Sequence, residues 1–183
     1  AIMTSNAFQF NDKRPVIGLN GRFLVAQRTG VQRSAYWLFK SIIERNTDYN
    51  FVLFTGESER YAPEWQRPFV KIVTSALTSR ASFGNYFWEQ FTLPKIAKSY
   101  SLDILHNPAN LAPLNYKGKS IVHIHDLSFL IEPSWFSLTF RTAYRWLVPR
   151  VAKNSSLVIT NSNHSKNDLL ERLELSLSKV RLG

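Results

Sequence analysis

The chain has 183 residues, 44% hydrophobic and 20% charged, with a formal net charge of +10 and no cysteine. That length suffices for one domain with a full core, and the balance is that of a globular rather than a disordered chain. Disulfides and thiolate chemistry are excluded, no apolar run approaches the ~20 residues that span a bilayer, and the positive charge favours an anionic partner: nucleic acid, an anionic membrane surface or a phosphorylated small molecule.

The start, AIMTSNAFQFNDK, has no basic flank followed by an apolar stretch, so it does not read as a signal peptide. Residues 1–13 read as a flexible segment or an expression remnant, residues 14–183 as one domain, and the expected location is cytoplasmic. Residues 15–20 (PVIGLN) form a first apolar strand, followed by a polar loop over residues 21–29. A helix starts near Gly30, with Val31, Ala35, Leu38, Phe39, Ile42 and Ile43 at helical spacing. Residues 51–55 and 69–74 are a second and a third strand. Residues 84–100 read as a helix kinked or restarted by Pro94, residues 103–106 as a fourth strand, and residues 107–118 as a loop with two prolines. A fifth strand covers residues 120–125, a helix residues 135–153, a sixth strand residues 157–160, and a last helix, capped by Ser162, runs to about Leu173. Residues 180–183 read as a strand or loop. Short apolar strands alternating with helices predict an α/β fold: a mostly parallel sheet with helices on both faces. There are no repeats and no low-complexity tract.

Residues 120–166 concentrate the candidate chemistry. Two strands ending in polar loops on the same side of an open α/β sheet make a ligand crevice. One strand ends in His123-Ile124-His125-Asp126, the next in Asn161-Ser162-Asn163-His164-Ser165-Lys166. Histidines at i and i+2 share a face of a strand, which is the spacing of a metal-hydrolase pair. A metal site needs further ligands, and only His106 and His164 remain as histidines. The reading placed first puts His125 at the strand end, facing substrate hydroxyls or phosphate, with no metal; a core histidine satisfied by backbone stands second. Gly21-Arg22 and Thr29-Gly30-Val31 form a strand–loop–helix arrangement in which glycine lets backbone N–H groups approach a phosphate. It is neither a Walker loop nor GxGxxG, and a glycine turn without ligand is the competing reading. In the helix from Trp135 to Lys153, Phe140, Tyr144, Leu147 and Val151 mark a buried stripe, with Arg141 and Arg145 on a neighbouring face. That face suits anionic headgroups or is simply solvated. Nucleic acid is not expected, since no RNP aromatics, KH loop or zinc knuckle is present.

Four stretches, taken in order, resemble the N-terminal half of GT-B glycosyltransferases of family 4, in its bacterial, mannosyltransferase-like branch. IGLNGRFL followed by TGVQRSAYWL resembles that family's first strand, glycine loop and first helix, with Arg33 at its frequent basic position. WEQFTLPKIAKSYSLDILHNPANLAPL, IVHIHDLSFL and VITNSNHSKNDLL resemble three later segments. Asn20 stands where the family often has Asp. The resemblance implies a Rossmann-like acceptor-side domain of a retaining enzyme that moves a hexose, mannose among the candidates, from a GDP- or UDP-sugar to a glycan or lipid-linked acceptor in polysaccharide biosynthesis. It implies that Gly30 approaches the donor diphosphate, that His125 is the catalytic contact, and that Asn107, Asn110, Arg33 and Asp126 contact acceptor. Ser162 then caps its helix near the cleft. No cofactor is implied. The donor-binding C-terminal domain lies outside these 183 residues, so the chain alone is expected to lack activity, and peripheral association with the inner face of the cell membrane is an expectation from its charge. The alternatives are a metal-dependent hydrolase using His123, His125 and Asp126, and a flavodoxin-like module that binds an anionic partner without catalysis.

Overall fold

The structure, a computed structural model, describes residues 13–25, 29–60, 62–75, 77, 82–131 and 138–183. The expected leading segment up to residue 12 and the expected helix start at Trp135 and Phe136 lie outside the described residues. The chain divides into two compact units, Ala1–His106 and Asn107–Gly183.

In the first unit β1 (Val16–Asn20), β2 (Asn50–Gly56), β3 (Val70–Ser75) and β4 (Ile104–Asn107) run in the order β3-β2-β1-β4, each pair parallel. The register sets Leu19 against Leu53 and His106. All seven residues of β2 are buried, as suits the near-continuous apolar run of a central parallel strand. Helix α1 (Gly30–Arg45) returns the chain from β1 to β2 and buries Ala35, Phe39 and Ile43 at i, i+4 and i+8, each large apolar side chain contributing about 1.5–3 kcal/mol. Asp103 precedes β4 rather than opening it, and its carboxylate accepts from the backbone N–H of Val16 at 2.7 Å.

Two local departures from the sequence reading arise from side-chain demands. The loop after β1 is not polar: residues Arg22–Val25 form a 3₁₀ turn that buries Phe23, Leu24 and Val25. The helix interrupted by Pro94 contains a π turn. Helix α2 (Ser82–Phe87) runs into π-helical Trp88–Thr92 and then α3 (Leu93–Lys98), and the Leu93 N–H bonds to Trp88 O. One extra residue in the turn lets a proline without N–H sit in the first turn of α3. Trp88 and Glu89, the first two residues of the π turn, are both buried.

In the second unit β5 (Ser120–His123), β6 (Leu157–Thr160) and β7 (Val180–Leu182) are parallel neighbours. Asn107 closes β4 instead of opening the next loop. A one-turn helix α4 (Ser128–Ile131), absent from the sequence reading, comes after β5, and α5 (Leu138–Asn154) precedes β6. On α5 the buried stripe is Tyr144, Val148, Val151 and Ala152, with Leu147 only half-buried. Helix α6 (Asn163–Arg172) comes after β6. The fold is α/β and Rossmann-like.

Candidate functional site

Parallel pairing of β5 with β6 sets Val122 beside Val158 and His123 beside Ile159, so the polar segments after both strands leave from neighbouring ends. His125 lies two residues past the end of β5 and is held at three points. Its backbone N–H donates to Asn110 Oδ1 at 2.9 Å, its carbonyl accepts from Ser165 Oγ at 3.0 Å, and its Nε2 lies 3.1 Å from Pro108 O. A carbonyl only accepts, so Nε2 carries the proton and Nδ1 is the ring's other face to a ligand. Among the described residues Nδ1 has no partner. Asn110 works from both sides, donating its backbone N–H to His123 O at 2.8 Å and accepting from His125. It does so at φ 62, a left-handed conformation that asparagine tolerates better than most residues.

The remaining predicted residues of this unit make hydrogen bonds within the fold around His125. Asn107 is fully buried and donates from Nδ2 to Ile121 O at 3.0 Å. Asp126 Oδ1 accepts from the Ser128 backbone N–H at 2.9 Å and from Ser128 Oγ at 2.5 Å, opening α4. Ser162, in extended conformation, accepts from the Ser165 N–H at 3.1 Å. Ser165 lay within the candidate run Asn161–Lys166, but sequence reasoning gave it no role of its own. It is buried, accepts from Ser162 Oγ at 3.0 Å, and ties the first turn of α6 to the His125 carbonyl. Its signal was a second serine three residues after the cap. His123 is mostly buried; burial first, and the charge of His125 second, pushes it down to about 4. Among the described residues no group of three or more His, Cys, Asp or Glu side chains is placed to hold a metal ion, so the hydrolase alternative finds no ligand set there.

In the first unit Gly30 opens α1 with no atom within 4 Å of the position a Cβ would take. Thr29 gives the helix no side-chain cap, its hydroxyl going instead to Gln32 Oε1, and no acidic residue lies in the first turn. Arg33 is exposed on α1. At the end of β1, Gly21 donates to Phe54 O at 2.8 Å, and a Cβ there would stand 2.7 Å from that oxygen, so the chain can pass this close only as glycine. Asn20 is buried, accepts the Arg22 N–H at 3.2 Å on Oδ1 and donates from Nδ2 to Glu89 Oε1 at 2.7 Å. An aspartate here would set a second carboxylate against Glu89, which accounts for asparagine. Arg22 Nε lies 3.1 Å from the same Glu89 oxygen, and its guanidinium sits 4.9 Å over the Tyr86 ring. Sequence reasoning named Arg22 within the glycine loop and Glu89 within the WEQ stretch but did not pair them, because the two are far apart along the chain.

Helix α5 carries a shallow depression of about 410 Å³ lined by Arg141, Thr142, Arg145, Trp146 and Arg150. Trp146 is 56% exposed, with the Arg150 guanidinium 4.2 Å over its ring. No described helix is long and apolar enough to cross a membrane.

The family model described as Glycosyltransferase Family 4 matches residues 28–182. A crystal structure of a glycosyltransferase from Rickettsia africae ESF-5 aligns over 93% of this chain with TM-score 0.50 and 12% sequence identity. The alignment covers 42% of that neighbour, so this chain spans less than half its length, and at such identity the likeness speaks to fold alone. No curated protein matches the chain.

Proposed function

This chain belongs to glycosyltransferase family 4, and we propose that it is the acceptor-side, Rossmann-like half of a retaining GT-B enzyme that moves a hexose, mannose first among the candidates, from a GDP- or UDP-sugar to a glycan or lipid-linked acceptor. The observation that carries the reading is the three-point hold on His125, which presents Nδ1 at the C-terminal ends of parallel strands, where open α/β sheets bind ligands. In the reaction the bond between the sugar C1 and the diphosphate oxygen breaks and a bond from C1 to the acceptor oxygen forms on the same face. The nucleoside diphosphate leaves with the bonding pair, and the acceptor hydroxyl proton passes to the leaving phosphate. Catalysis is then positioning and charge stabilisation. His125 Nδ1 bonds a sugar or acceptor hydroxyl, and Asn110 Nδ2 supplies a donor beside it. Asn107, Asp126 and Ser162 act by shaping this edge. The open first turn of α1 at Gly30 receives diphosphate oxygens, and Arg33 the acceptor's charge.

Donor binding requires a partner domain in this reading, so the chain alone binds acceptor without turning over. The enzyme works in the cytoplasm at the inner face of the membrane, with the arginines of α5 against anionic lipid. The test is transfer from GDP-mannose and UDP-hexoses to prenyl-diphosphate-linked acceptors by the full gene product. His125→Ala is expected to lower kcat by about 10²-fold or more, as for loss of a hydrogen bond that stabilises the transition state. Asn110→Ala lowers it less, and the 183-residue chain alone gives no product. Unchanged transfer by His125→Ala would remove the role given to this residue, and hydrolysis of a phosphoester with no transfer would replace the reaction class.

A further inference from the structure

Helix α1 carries an indole that is open to solvent and yet held in place. Trp37 is 59% exposed, which forgoes the free energy of burying a large ring. The Tyr36 ring meets it edge-on, 5.4 Å between centroids, and in turn meets the fully buried Trp65 ring at 5.5 Å. Both inner rings are anchored: the Tyr36 hydroxyl donates to Glu64 Oε1 at 3.1 Å, and Trp65 Nε1 donates to Glu59 Oε2 at 3.0 Å. Lys40 Nζ lies over the Trp37 ring, 5.0 Å from its centroid. On a helix the neighbours of a side chain stand three and four positions away, which for Trp37 are Arg33, Ser34, Lys40 and Ser41. All four carry hydrogen-bond donors. Among the described residues the side chains of Arg33, Ser34 and Ser41 and the Trp37 indole N–H make no hydrogen bond or ion pair. No acidic residue precedes Glu44 on this helix.

We propose that Trp37 is a stacking platform for a pyranose unit that bears a carboxylate, an outer sugar of the acceptor. This deepens the glycosyltransfer proposal: it rests on that reading for giving the sugar to the acceptor, and on α1 alone for the binding of a sugar. One indole ringed by donors offers too little contiguous apolar surface for a protein partner or for insertion into lipid. It matches a pyranose, which presents C–H groups on one face and hydroxyls around its rim. With Lys40 over one face of the indole, the sugar takes the other, its C–H groups against the electron-rich ring. Ser34, Ser41 and the indole N–H serve the rim, and the Arg33 fork takes a carboxylate by two oxygens at once. Trp37 stands seven positions after Gly30, about 10 Å along the axis, which makes this an outer subsite and not the place of bond formation. The indole is already ordered by Tyr36 and Lys40, so binding does not have to order it again.

The experiment titrates the chain at low salt with trigalacturonate, an anionic trisaccharide, and with neutral maltotriose. It follows the indole N–H resonances, that of Trp37 being assigned by its loss in Trp37→Phe. A saturable shift of the Trp37 signal is expected with both sugars, severalfold tighter for trigalacturonate, while the signal of the similarly exposed Trp146 stays put. Trp37→Ala, read from the Ser34 and Ser41 amides, weakens binding about three- to tenfold, and Trp37→Phe recovers part of the loss. Arg33→Gln brings trigalacturonate down to the affinity of maltotriose. No saturable shift with either sugar, an equal shift at Trp146, or unchanged affinity in Trp37→Ala overturns the proposal. So does equal affinity of the native chain for the two sugars, or a preference that survives Arg33→Gln. In the full gene product Trp37→Ala should raise the acceptor KM by the same factor with kcat kept, as for an interaction made equally in ground and transition states. The expected sugar binding with no transfer by the full gene product fails the glycosyltransfer reading and leaves this inference standing. Transfer with unchanged acceptor KM in Trp37→Ala does the reverse.

Discussion

At the residue scale the two histidines after residue 122 divide the work. His125 is half-buried and tethered through Nε2 to a carbonyl, whereas His123 is held neutral by burial, with a pKa near 4. The folded value lies below the unfolded one of about 6.5. Between those values the unfolded chain takes up a proton that the folded chain refuses, so stability falls as pH drops from about 6.5 to about 4 and the loss ends there. The loss is on the order of 1–3 kcal/mol for a shift of this size in a mostly buried ring. Glu57 acts in a different window. Arg60 and Thr74 hold it at about 2, so its contribution is lost only below about 4.5. The urea midpoint of the native chain should therefore fall between pH 6.5 and 5, and His123→Gln should flatten that slope while leaving the acid limb below 4.5 in place. A native-like slope in His123→Gln would assign the titration elsewhere. The sequence made His125 a candidate by its place at a strand end, because strand periodicity is local. What holds it was not legible: Pro108, Asn110 and Ser165 stand 17, 15 and 40 positions away, and their contacts exist only after the loops have packed. The same is true of Asn20, whose departure from an acidic residue is explained by a partner 69 positions along the chain.

At the scale of elements the strands were the easiest to read, because a buried parallel strand is an unbroken apolar run bounded by polar residues. The misreadings came where apolar runs were too short or too symmetric. Phe23-Leu24-Val25 is shorter than one helical period, so nothing in it distinguishes a buried 3₁₀ turn from a loop. On α5, Leu147 and Val148 are adjacent and both apolar; packing selects Val148, which with Tyr144, Val151 and Ala152 keeps to i, i+4, i+7 and i+8. Pro94 announced an interruption, but whether a helix kinks or takes a π turn depends on which side chain must face inward. Helix α6 is the case where a local signal carried far. Ser162 was expected as its cap, and Ser165, one turn in, extends that cap to His125. Ser162→Ala should cost about 1 kcal/mol of stability, the usual worth of a cap. Ser165→Ala should cost a similar amount, since it removes a bond to the part-buried His125 carbonyl, and should also lower transfer in the full gene product where Ser162→Ala leaves it near native. Urea unfolding and initial rates separate the two. Equal rate losses in both variants would make α6 as a whole, rather than the link to His125, the element that matters.

At the scale of the whole molecule the excess of ten positive charges is too general to name a partner, since exposed charge of one sign attracts any polyanion. Its distribution narrows the choice. On α5, Arg141, Arg145 and Arg150 surround an exposed tryptophan, and a ring flanked by cations suits the headgroup level of a membrane, where each basic residue contributes about 1 kcal/mol. Two contributions must be separated: the field of the molecule, which reaches about 10 Å at 0.1 M salt and about 3 Å at 1 M, and the local fit of this face. Flotation with phosphatidylglycerol vesicles separates them. The chain should bind at about 20 mM salt, fail to bind phosphatidylcholine, and be released near 1 M. Arg145→Gln with Arg150→Gln should weaken binding by about 10- to 30-fold. Lys117→Gln with Lys119→Gln removes the same two charges from an exposed loop and should weaken it much less. Equal losses in the two pairs would assign the attraction to net charge alone and leave α5 a solvated face, and no binding to the anionic vesicles at low salt would take the membrane out of the list of partners.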